Sequence, residues 1–273
     1  MCNLIKMDFY RLFTGRTMRI GAIMALLVSA GYMLSSFGIV ELCKYVTDSD
    51  PDAAIGLSFI IPQAAWIFGI DFADIVLGGT GAFSLFIGCM IAANFIGSEQ
   101  SCGYTKNFAG QLRDKGYMAI SKFIVTSASQ FVILFIYSAV SAVLAEILFG
   151  TYIIGYNVGE LIRALCLRLL LYFAINAIIV FLCTLTKSHA VAMVAGCIFG
   201  IGVTQFAYSA VEVVLGTLKI NFPISSYMPD GLNTQLSIDT ASDLTVNAIV
   251  VSIAFIAIFL GANYFIQRKR DVR

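Results

Sequence analysis

The sequence predicts an all-α integral membrane protein with six transmembrane helices and both termini in the cytoplasm. The 273 residues are 59% hydrophobic and only 12% charged, whereas a soluble domain has about 45–50% apolar and about 25% charged residues. The apolar residues also form charge-poor runs of membrane-crossing length, and Lys and Arg are distributed unevenly between them. We interpret residues 1–273 as one transmembrane domain.

Six apolar runs are close to the roughly 20 residues that a transmembrane helix needs. The second is the shortest, and we expect its helix to begin earlier, near Ile75. The fourth contains Arg168 near one end. The runs are Ile20–Val40, Gly79–Ile96, Phe123–Leu148, Leu161–Leu185, Ala190–Leu215 and Val246–Ile266.

The orientation follows from the positive residues, because Lys and Arg are retained on the cytoplasmic side. Segments 1–19, 97–122, 186–189 and 267–273 together hold thirteen of them, whereas the other side has three, namely Lys44, Lys219 and Arg163 at the start of the fourth run. Six crossings therefore place both termini inside. Residues 55–70 form a further, shorter apolar stretch that contains Pro62, and we interpret it as re-entrant or interfacial because a seventh crossing would move one basic cluster outside.

The first nineteen residues predict an amphipathic interfacial helix. Ile5, Phe9, Leu12 and Phe13 recur at helical spacing, and basic residues occupy other positions. We expect such a helix to lie in the inner headgroup plane, with its aromatic rings in lipid and its basic groups near anionic phosphates. It either anchors the first span or transmits motion.

The loop at residues 97–122 predicts a short cytoplasmic helix. Tyr104, Phe108 and Leu112 recur at i, i+4 and i+8 and form one apolar stripe, and Gly103 and Gly116 bracket it. An aromatic ridge below the membrane suits insertion into a groove of a soluble partner. The alternative is a loop helix that folds back on the bundle.

This loop also carries a resemblance to a known family. The order of Glu99, Gly103, Thr105 and Lys106, followed by Gly116, Ser121 and Lys122, resembles the signature of permease subunits of type 2 ABC exporters, although Tyr104 separates the Gly and Thr that are often adjacent. The basic amphipathic segment before the first span is similar to their elbow helix. In length, the chain is most similar to the bacterial branch that exports lantibiotics, bacitracin-like antibiotics and toxin peptides.

The resemblance implies a cytosolic ATPase partner in two copies, which would bind ATP and Mg. The dipeptide Gly-Lys does not occur in this chain, which excludes a P-loop, and we expect no cofactor on it. In the family this loop is the coupling helix that contacts the ATPase. The residues that would make that contact here are Glu99, Tyr104, Lys106, Phe108, Leu112 and Arg113, with Lys115 as a neighbour.

The resemblance also implies a second permease subunit, identical or homologous. The fifth run contains Ala192, Gly196 and Gly200, small residues at four-residue spacing that let two helices approach closely. Because the first and fifth spans meet across the dimer in the family, this face is a candidate dimer interface. Packing within one subunit is the alternative.

Polar side chains inside the runs are candidate pathway or packing residues, since they are costly in lipid. Glu146, Arg168 and Glu212 lie toward the outer ends of three spans, and we expect them to pair as an ion cluster. Three further residues would line a pathway or bond neighbouring helices, namely Gln130, Asn176 and Gln205. Residues 216–245 predict an extracellular loop, and in the family this region carries outer gate elements.

Several functions are disfavoured by what the chain lacks. A net charge of +1 offers no basic field for nucleic acid. The single histidine, His189, cannot complete an HExxH zinc site, and the seven cysteines contain no CxxC. The resemblance then implies a non-enzymatic permease of the bacterial plasma membrane that moves amphipathic or antimicrobial peptides, or similar lipophilic compounds, out of the cell or membrane by alternating access. The alternatives are an ATP-independent channel or secondary transporter, whose sites usually involve broken helices, and a structural membrane partner.

Overall fold

The computed structural model describes residues 2–49, 72–101, 114–150, 153, 155, 157–186, 188–217, 223–236 and 242–269. These residues form α-helices and one short 3-10 helix, Ile224–Tyr227. The α-helices are α1 Cys2–Thr14, α2 Arg16–Ser49, α3 Phe72–Ser101, α4 Tyr117–Phe149, α5 Val158–Thr186, α6 His189–Ile201, α7 Val203–Thr217, α8 Pro229–Gln235 and α9 Ser242–Lys269.

Five of these helices are long and apolar enough to cross a membrane, namely α2, α3, α4, α5 and α9. The bent pair of α6 and α7 makes a sixth if it is counted as one span. The predicted all-α class and the membrane-spanning character are confirmed at this level. Each of the six predicted runs lies within one of these helices or within the bent pair.

The second span, α3, is the centre of the bundle. It packs against α2, α4, α5 and α6, and between Leu85 and Ile96 it contributes more residues to the largest core cluster than any other helix. It begins at Phe72, as the expectation of an earlier start required. A helix that is surrounded by protein needs no lipid-facing apolar stripe, which explains why small and polar residues shorten its apolar run.

The fifth span is broken, and the prediction of one continuous helix over Ala190–Leu215 is wrong. α6 ends at Ile201, and α7 starts at Val203 with its axis turned by 70°. Gly202 lies between them with φ +78°, a left-handed conformation that glycine adopts without steric cost. Its N–H donates to the carbonyl of Ile198 and closes α6 as a C-cap.

Beyond the break, the chain returns into the bundle. The 3-10 helix and α8 pack against α7, and α8 also contacts α5 and α9. Leu232 of α8 and Leu236, directly after it, share a core cluster with Leu167 and Leu171 of α5. Those two leucines lie 9 and 13 residues after the start of α5 at Val158, roughly 14–20 Å along its axis. We call residues 224–235 the cap segment.

The two ends of the bundle can be distinguished by their contacts. α1, the end of α3, the start of α4 and the last turns of α9 meet around residues 99–122. We call this the 99–122 end. At the opposite end, the N–H of Phe72 donates to the carbonyl of Gly155 at 3.0 Å, which ties the start of α3 to the turn before α5.

The N-terminal helix is present as predicted, but its apolar side faces the protein rather than lipid. Leu12 is 1% exposed, and Ile5, Phe9 and Phe13 pack against the main core cluster. The rings of Phe9 and Phe13 stack with centroids 5.4 Å apart. Burial against α2 and α4 removes this apolar surface from the lipid, so the amphipathic pattern here reports docking onto the bundle.

Two sequence predictions fall on residues outside the described ranges. One is the re-entrant or interfacial stretch at 55–70. The other is most of the coupling helix, including Tyr104, Lys106, Phe108, Leu112 and Arg113. Both stay predictions.

Candidate functional site

A buried ion pair connects the two helices that flank the loop at residues 102–113. Oε2 of Glu99, in the last turn of α3, lies 2.8 Å from Nζ of Lys122 in the first turns of α4. The side chains are 2% and 4% exposed. The sequence singled out both residues as parts of one loop signature, and the structure brings them into direct contact.

The N-terminal helix supplies the second cation of this site. Nη2 of Arg11 donates to Oε1 of Glu99, so one carboxylate holds a cation on each oxygen. The Arg11 guanidinium also lies over the ring of Phe95, with 4.6 Å to the centroid, which is within cation–π range. The Arg11 side chain is 32% exposed, so water screens its share of the interaction more strongly than that of Lys122.

A second carboxylate enters the site from the same helix. Oγ of Ser121 donates to Oδ2 of Asp8 at 2.6 Å, and Asp8 is buried. Burial raises the pKa of Asp8 above its usual value, and the negative charge of Glu99 acts in the same direction. The hydrogen bond from Ser121 and the positive charges of Arg11 and Lys122 act in the opposite direction.

We refer to Asp8, Arg11, Glu99, Ser121 and Lys122 as the ion cluster. Its two cations both contact the carboxylate of Glu99, whereas Asp8 accepts a hydrogen bond from the neutral hydroxyl of Ser121. Three separate parts of the chain contribute to it, so it fastens α1 to both flanks of the 102–113 loop. Among the described residues, no group of three or more His, Cys, Asp or Glu is placed to hold a metal ion.

A smaller contact fastens the second flank of the loop to the last span. The hydroxyl of Tyr264 in α9 donates to Oδ2 of Asp114 at 2.6 Å, and Nε of Arg268 lies 4.0 Å from the same oxygen. The N–H of Gly116 donates to the other Asp114 oxygen at 3.0 Å. The hydrogen bonds from Tyr264 and Gly116 lower the pKa of Asp114 below its usual value.

Sequence reasoning missed Asp8, Arg11 and Asp114 as site residues. A signal was present for Asp8, because Leu4, Asp8 and Leu12 recur at four-residue spacing and the structure buries all three. An acidic residue on an otherwise buried helical stripe indicates an internal partner. Arg11 has no comparable signal, since a basic residue near the N-terminus is equally typical of a membrane-surface position.

The predicted polar residues of the membrane-spanning helices serve mainly as bonds between helices. Nδ2 of Asn176 in α5 contacts Thr126 and Ser127 of α4 at 2.9 and 3.0 Å. Gln130 in α4 is fully buried and donates to the sulfur of Cys89 at 3.8 Å. For these two residues, the structure matches the alternative of bonding neighbouring helices.

Two members of the predicted cluster of Glu146, Arg168 and Glu212 have other partners in the structure, namely Arg168 and Glu212. Glu212 lies on α7 and accepts from both the N–H and the hydroxyl of Ser225, at 2.8 and 2.9 Å. Arg168 is buried in α5, and its Nη1 donates to the carbonyl of Leu77 at 2.7 Å. The bend at residue 202 turns Glu212 toward the cap segment, and this direction could not be known from spacing along a continuous helix.

The cap segment brings one unpredicted pair into the bundle. Asp230 is buried, and the hydroxyl of Tyr208 on α7 contacts its two carboxylate oxygens at 3.0 and 3.1 Å. Nδ2 of Asn247 on α9 donates to the carbonyl of Ser226 at 2.6 Å. Gln205, a predicted pathway residue, lies in the first turn of α7 beside the break. The cap is thus fastened to both neighbouring helices.

The small-residue face of the fifth span is occupied within the subunit. A Cβ added at Gly200 would lie 2.6 Å from the Cα of Phe86, and one added at Gly196 would lie 3.0 Å from the Cβ of Cys89. Ala192 is buried in the same core cluster. In the structure these residues pack α6 against α3, which is the alternative of packing within one subunit. Comparison with protein-family models and with curated proteins finds no match to this chain.

Proposed function

We propose that this chain is the membrane-spanning permease subunit of an ATP-driven exporter in the bacterial plasma membrane. In this proposal, a separate cytosolic ATPase binds to the 102–113 loop, and the 99–122 end faces the cytoplasm. The cargo is an amphipathic or antimicrobial peptide. The proposal rests on the loop signature, the helical architecture and the contacts around the loop.

The ion cluster is the observation that carries the proposal. A loop that receives force from a partner needs flanks that move together with the spans. Glu99 and Lys122 bond the two flanks directly, Arg11 and Asp8 add α1, and Asp114 adds α9. A displacement of the loop is therefore transmitted to α1, α3, α4 and α9 as one unit.

The broken fifth span supports an outer gate in the same proposal. The cap segment lies in the half of the bundle away from the ion cluster and is held by hydrogen bonds with α7 and α9. Leu232 also packs against Leu167 and Leu171 of α5, so opening would exchange these hydrogen bonds and separate this small apolar contact. Alternating access would then couple a rigid loop end to a rearranging cap.

The second permease subunit would contact the first span. α2 exposes Gly31 and Gly38, and a Cβ added at either position would meet nothing within 4 Å. Two helices can approach closely where such residues face each other. With the α6 stripe filled by α3, two parts of the dimer interface that the family resemblance implies remain open: the half of α2 beyond Leu27, around Gly31 and Gly38, and α7, which has no buried residue.

The first experiment is affinity purification of the tagged chain from its native membrane, followed by mass spectrometry and an ATPase assay. A co-purifying P-loop subunit with vanadate-sensitive turnover supports the proposal. Phe108→Ala should reduce recovery of that subunit, and Tyr10→Ala is the matched control because Tyr10 is an aromatic residue of α1 that is 73% exposed. Equal recovery with both variants would reject the assignment of the loop as the ATPase contact.

The orientation has its own test through two cysteines. Cys43 should react with an impermeant thiol reagent in intact cells, and Cys102 should react only after permeabilisation. The opposite pattern would place the 99–122 end outside and reject a cytosolic partner for the loop.

An ATP-independent transporter is the second candidate, and the break at Gly202 favours it. Broken helices with polar groups inside the bundle are typical of secondary transporters, and here the break lies near Tyr208 and the buried Asp230. A chain that is purified alone, has no ATPase partner and still moves solute in proteoliposomes would select this candidate.

A further inference from the structure

The first turn of α2 presents two arginines to the surroundings of the bundle. Arg16 and Arg19 are both exposed. Nη2 of Arg19 donates to the carbonyl of Thr14 at 3.2 Å, which leaves most of the guanidinium donors directed elsewhere. This contact fixes the arginine at the bend between α1 and α2.

Directly along the helix from these arginines lies an apolar face that the protein leaves uncovered. Ile20, Ile23 and Leu27 are each about 60% exposed. Together with Arg16 they occupy i, i+4, i+7 and i+11, so they form one stripe on one face of α2. Because α2 is one of the helices apolar enough to cross a membrane, acyl chains are the natural cover of this stripe.

The neighbouring acidic group does not compete for these arginines. Asp8 is the only acidic residue between positions 2 and 40, and the structure turns it inward to Ser121. Arg11 is likewise turned inward to Glu99. The exposed charge at the start of α2 is therefore entirely positive, whereas the opposite end of the helix carries both Glu41 and Lys44 on its surface.

We propose that Arg16 and Arg19 bind the phosphate of an anionic phospholipid whose acyl chains lie along Ile20, Ile23 and Leu27. A guanidinium fork matches phosphate oxygens, and the adjacent apolar stripe gives the chains a fixed place. A zwitterionic lipid presents the same phosphate together with an ammonium group, which the two arginines repel. This lipid site is independent of whether an ATPase binds the chain.

The test uses a single tryptophan as a reporter of the lipid that contacts the stripe. Ile20→Trp is made in the full chain together with Trp66→Phe, and the protein is reconstituted in mixed phosphatidylcholine and phosphatidylglycerol vesicles. Either the phosphatidylcholine or the phosphatidylglycerol is brominated, and quenching by each gives their ratio at the reporter. We expect phosphatidylglycerol to be enriched about fivefold for each arginine.

Arg16→Gln with Arg19→Gln should bring the ratio close to that of the bulk lipid, whereas Lys44→Gln, an exposed cation at the other end of the same helix, should leave it unchanged. If the double variant fails to insert, the same measurement is made on the reporter protein with both arginines present. Raising the salt concentration from 0.05 to about 0.5 M should then reduce the phosphatidylglycerol enrichment, because salt screens the attraction.

Equal quenching by both brominated lipids in the reporter protein would overturn the proposal, and so would an enrichment that survives the double variant. Enrichment that is abolished by excess inorganic phosphate at constant ionic strength would assign the arginines to a soluble anion instead. The absence of quenching by either lipid would show that another protein surface covers the stripe.

Discussion

Replacing Glu99 with Gln removes the anion that both Lys122 and Arg11 share, and the structure allows its cost to be worked out. The Lys122 side chain is 4% exposed, and its ammonium lies 2.8 Å from Glu99. Removing one partner of a buried ion pair costs about 3–5 kcal/mol, because the remaining charge is left without compensation. Asp8 lies in the same cluster and offsets part of that cost, so we expect the free energy of unfolding to fall by about 3 kcal/mol.

The loss of unfolding free energy should be large only where the removed charge is buried and paired, as in Glu99. Arg11→Gln removes a cation that is 32% exposed, and we expect it to cost at most about 1 kcal/mol. Glu160→Gln changes an exposed acid in the first turn of α5, and we expect a change within about 0.5 kcal/mol. These two variants show how much stability is lost when an exposed charge is removed, and the larger loss in Glu99→Gln is then due to the burial of Glu99.

A double-mutant cycle isolates the pair itself. Lys122→Met alone leaves the Glu99 carboxylate buried with only Arg11, whereas Glu99→Gln with Lys122→Met leaves neither charge. We expect the double variant to be less destabilised than the sum of the two single variants by about 1–3 kcal/mol. The measurement is unfolding of the purified chain in mixed micelles by increasing denaturing detergent, followed by circular dichroism. Additive costs would refute the reasoning, because they would mean that the two side chains do not stabilise each other.

Three further outcomes follow from the contacts. Burial raises the pKa of Asp8 above 3.8, so the native state binds that proton more tightly than the unfolded chain, and ionised Asp8 lowers the free energy of unfolding at higher pH. Asp8→Asn should therefore stabilise the chain at pH 8, and this difference should vanish as the pH falls toward 3.8; a less stable variant at pH 8 would show that attraction by the neighbouring cations dominates. Gly200→Val should lower the melting temperature strongly, because a Cβ at position 200 would lie 2.6 Å from the Cα of Phe86. Gly216→Val is the control and should change the melting temperature little, because a Cβ there meets nothing within 4 Å. Equal melting temperatures of the two variants would contradict the packing of α6 on α3. Gly202→Ala should cost roughly 1–2 kcal/mol because of its φ of +78°, and an unchanged unfolding midpoint would mean that the break is not a left-handed cap.

The positions of the apolar helices could be predicted from the sequence because a bilayer constrains them locally. Each span must satisfy its backbone hydrogen bonds internally and must cover the hydrocarbon thickness, so length and charge within one segment are sufficient. The runs from Ile20, Phe123, Leu161 and Val246 all lie inside single helices. The proximity of the loop flanks was also accessible, since Glu99 and Lys122 end and begin consecutive spans.

What only the tertiary structure decided is how each helix is rotated and which neighbour it meets. Helices that are apolar all round carry little signal for rotation, so the sequence could not show whether Gly196 and Gly200 face a second subunit or α3. Beyond the break at Gly202, the redirected helix α7 meets the cap segment through Glu212 and Tyr208. Asp8 and Arg11 turn inward because charges contributed by two other helices compensate them there. Contacts of this kind join residues about 90 or more positions apart in the sequence. The spacing of residues within one segment therefore cannot predict them.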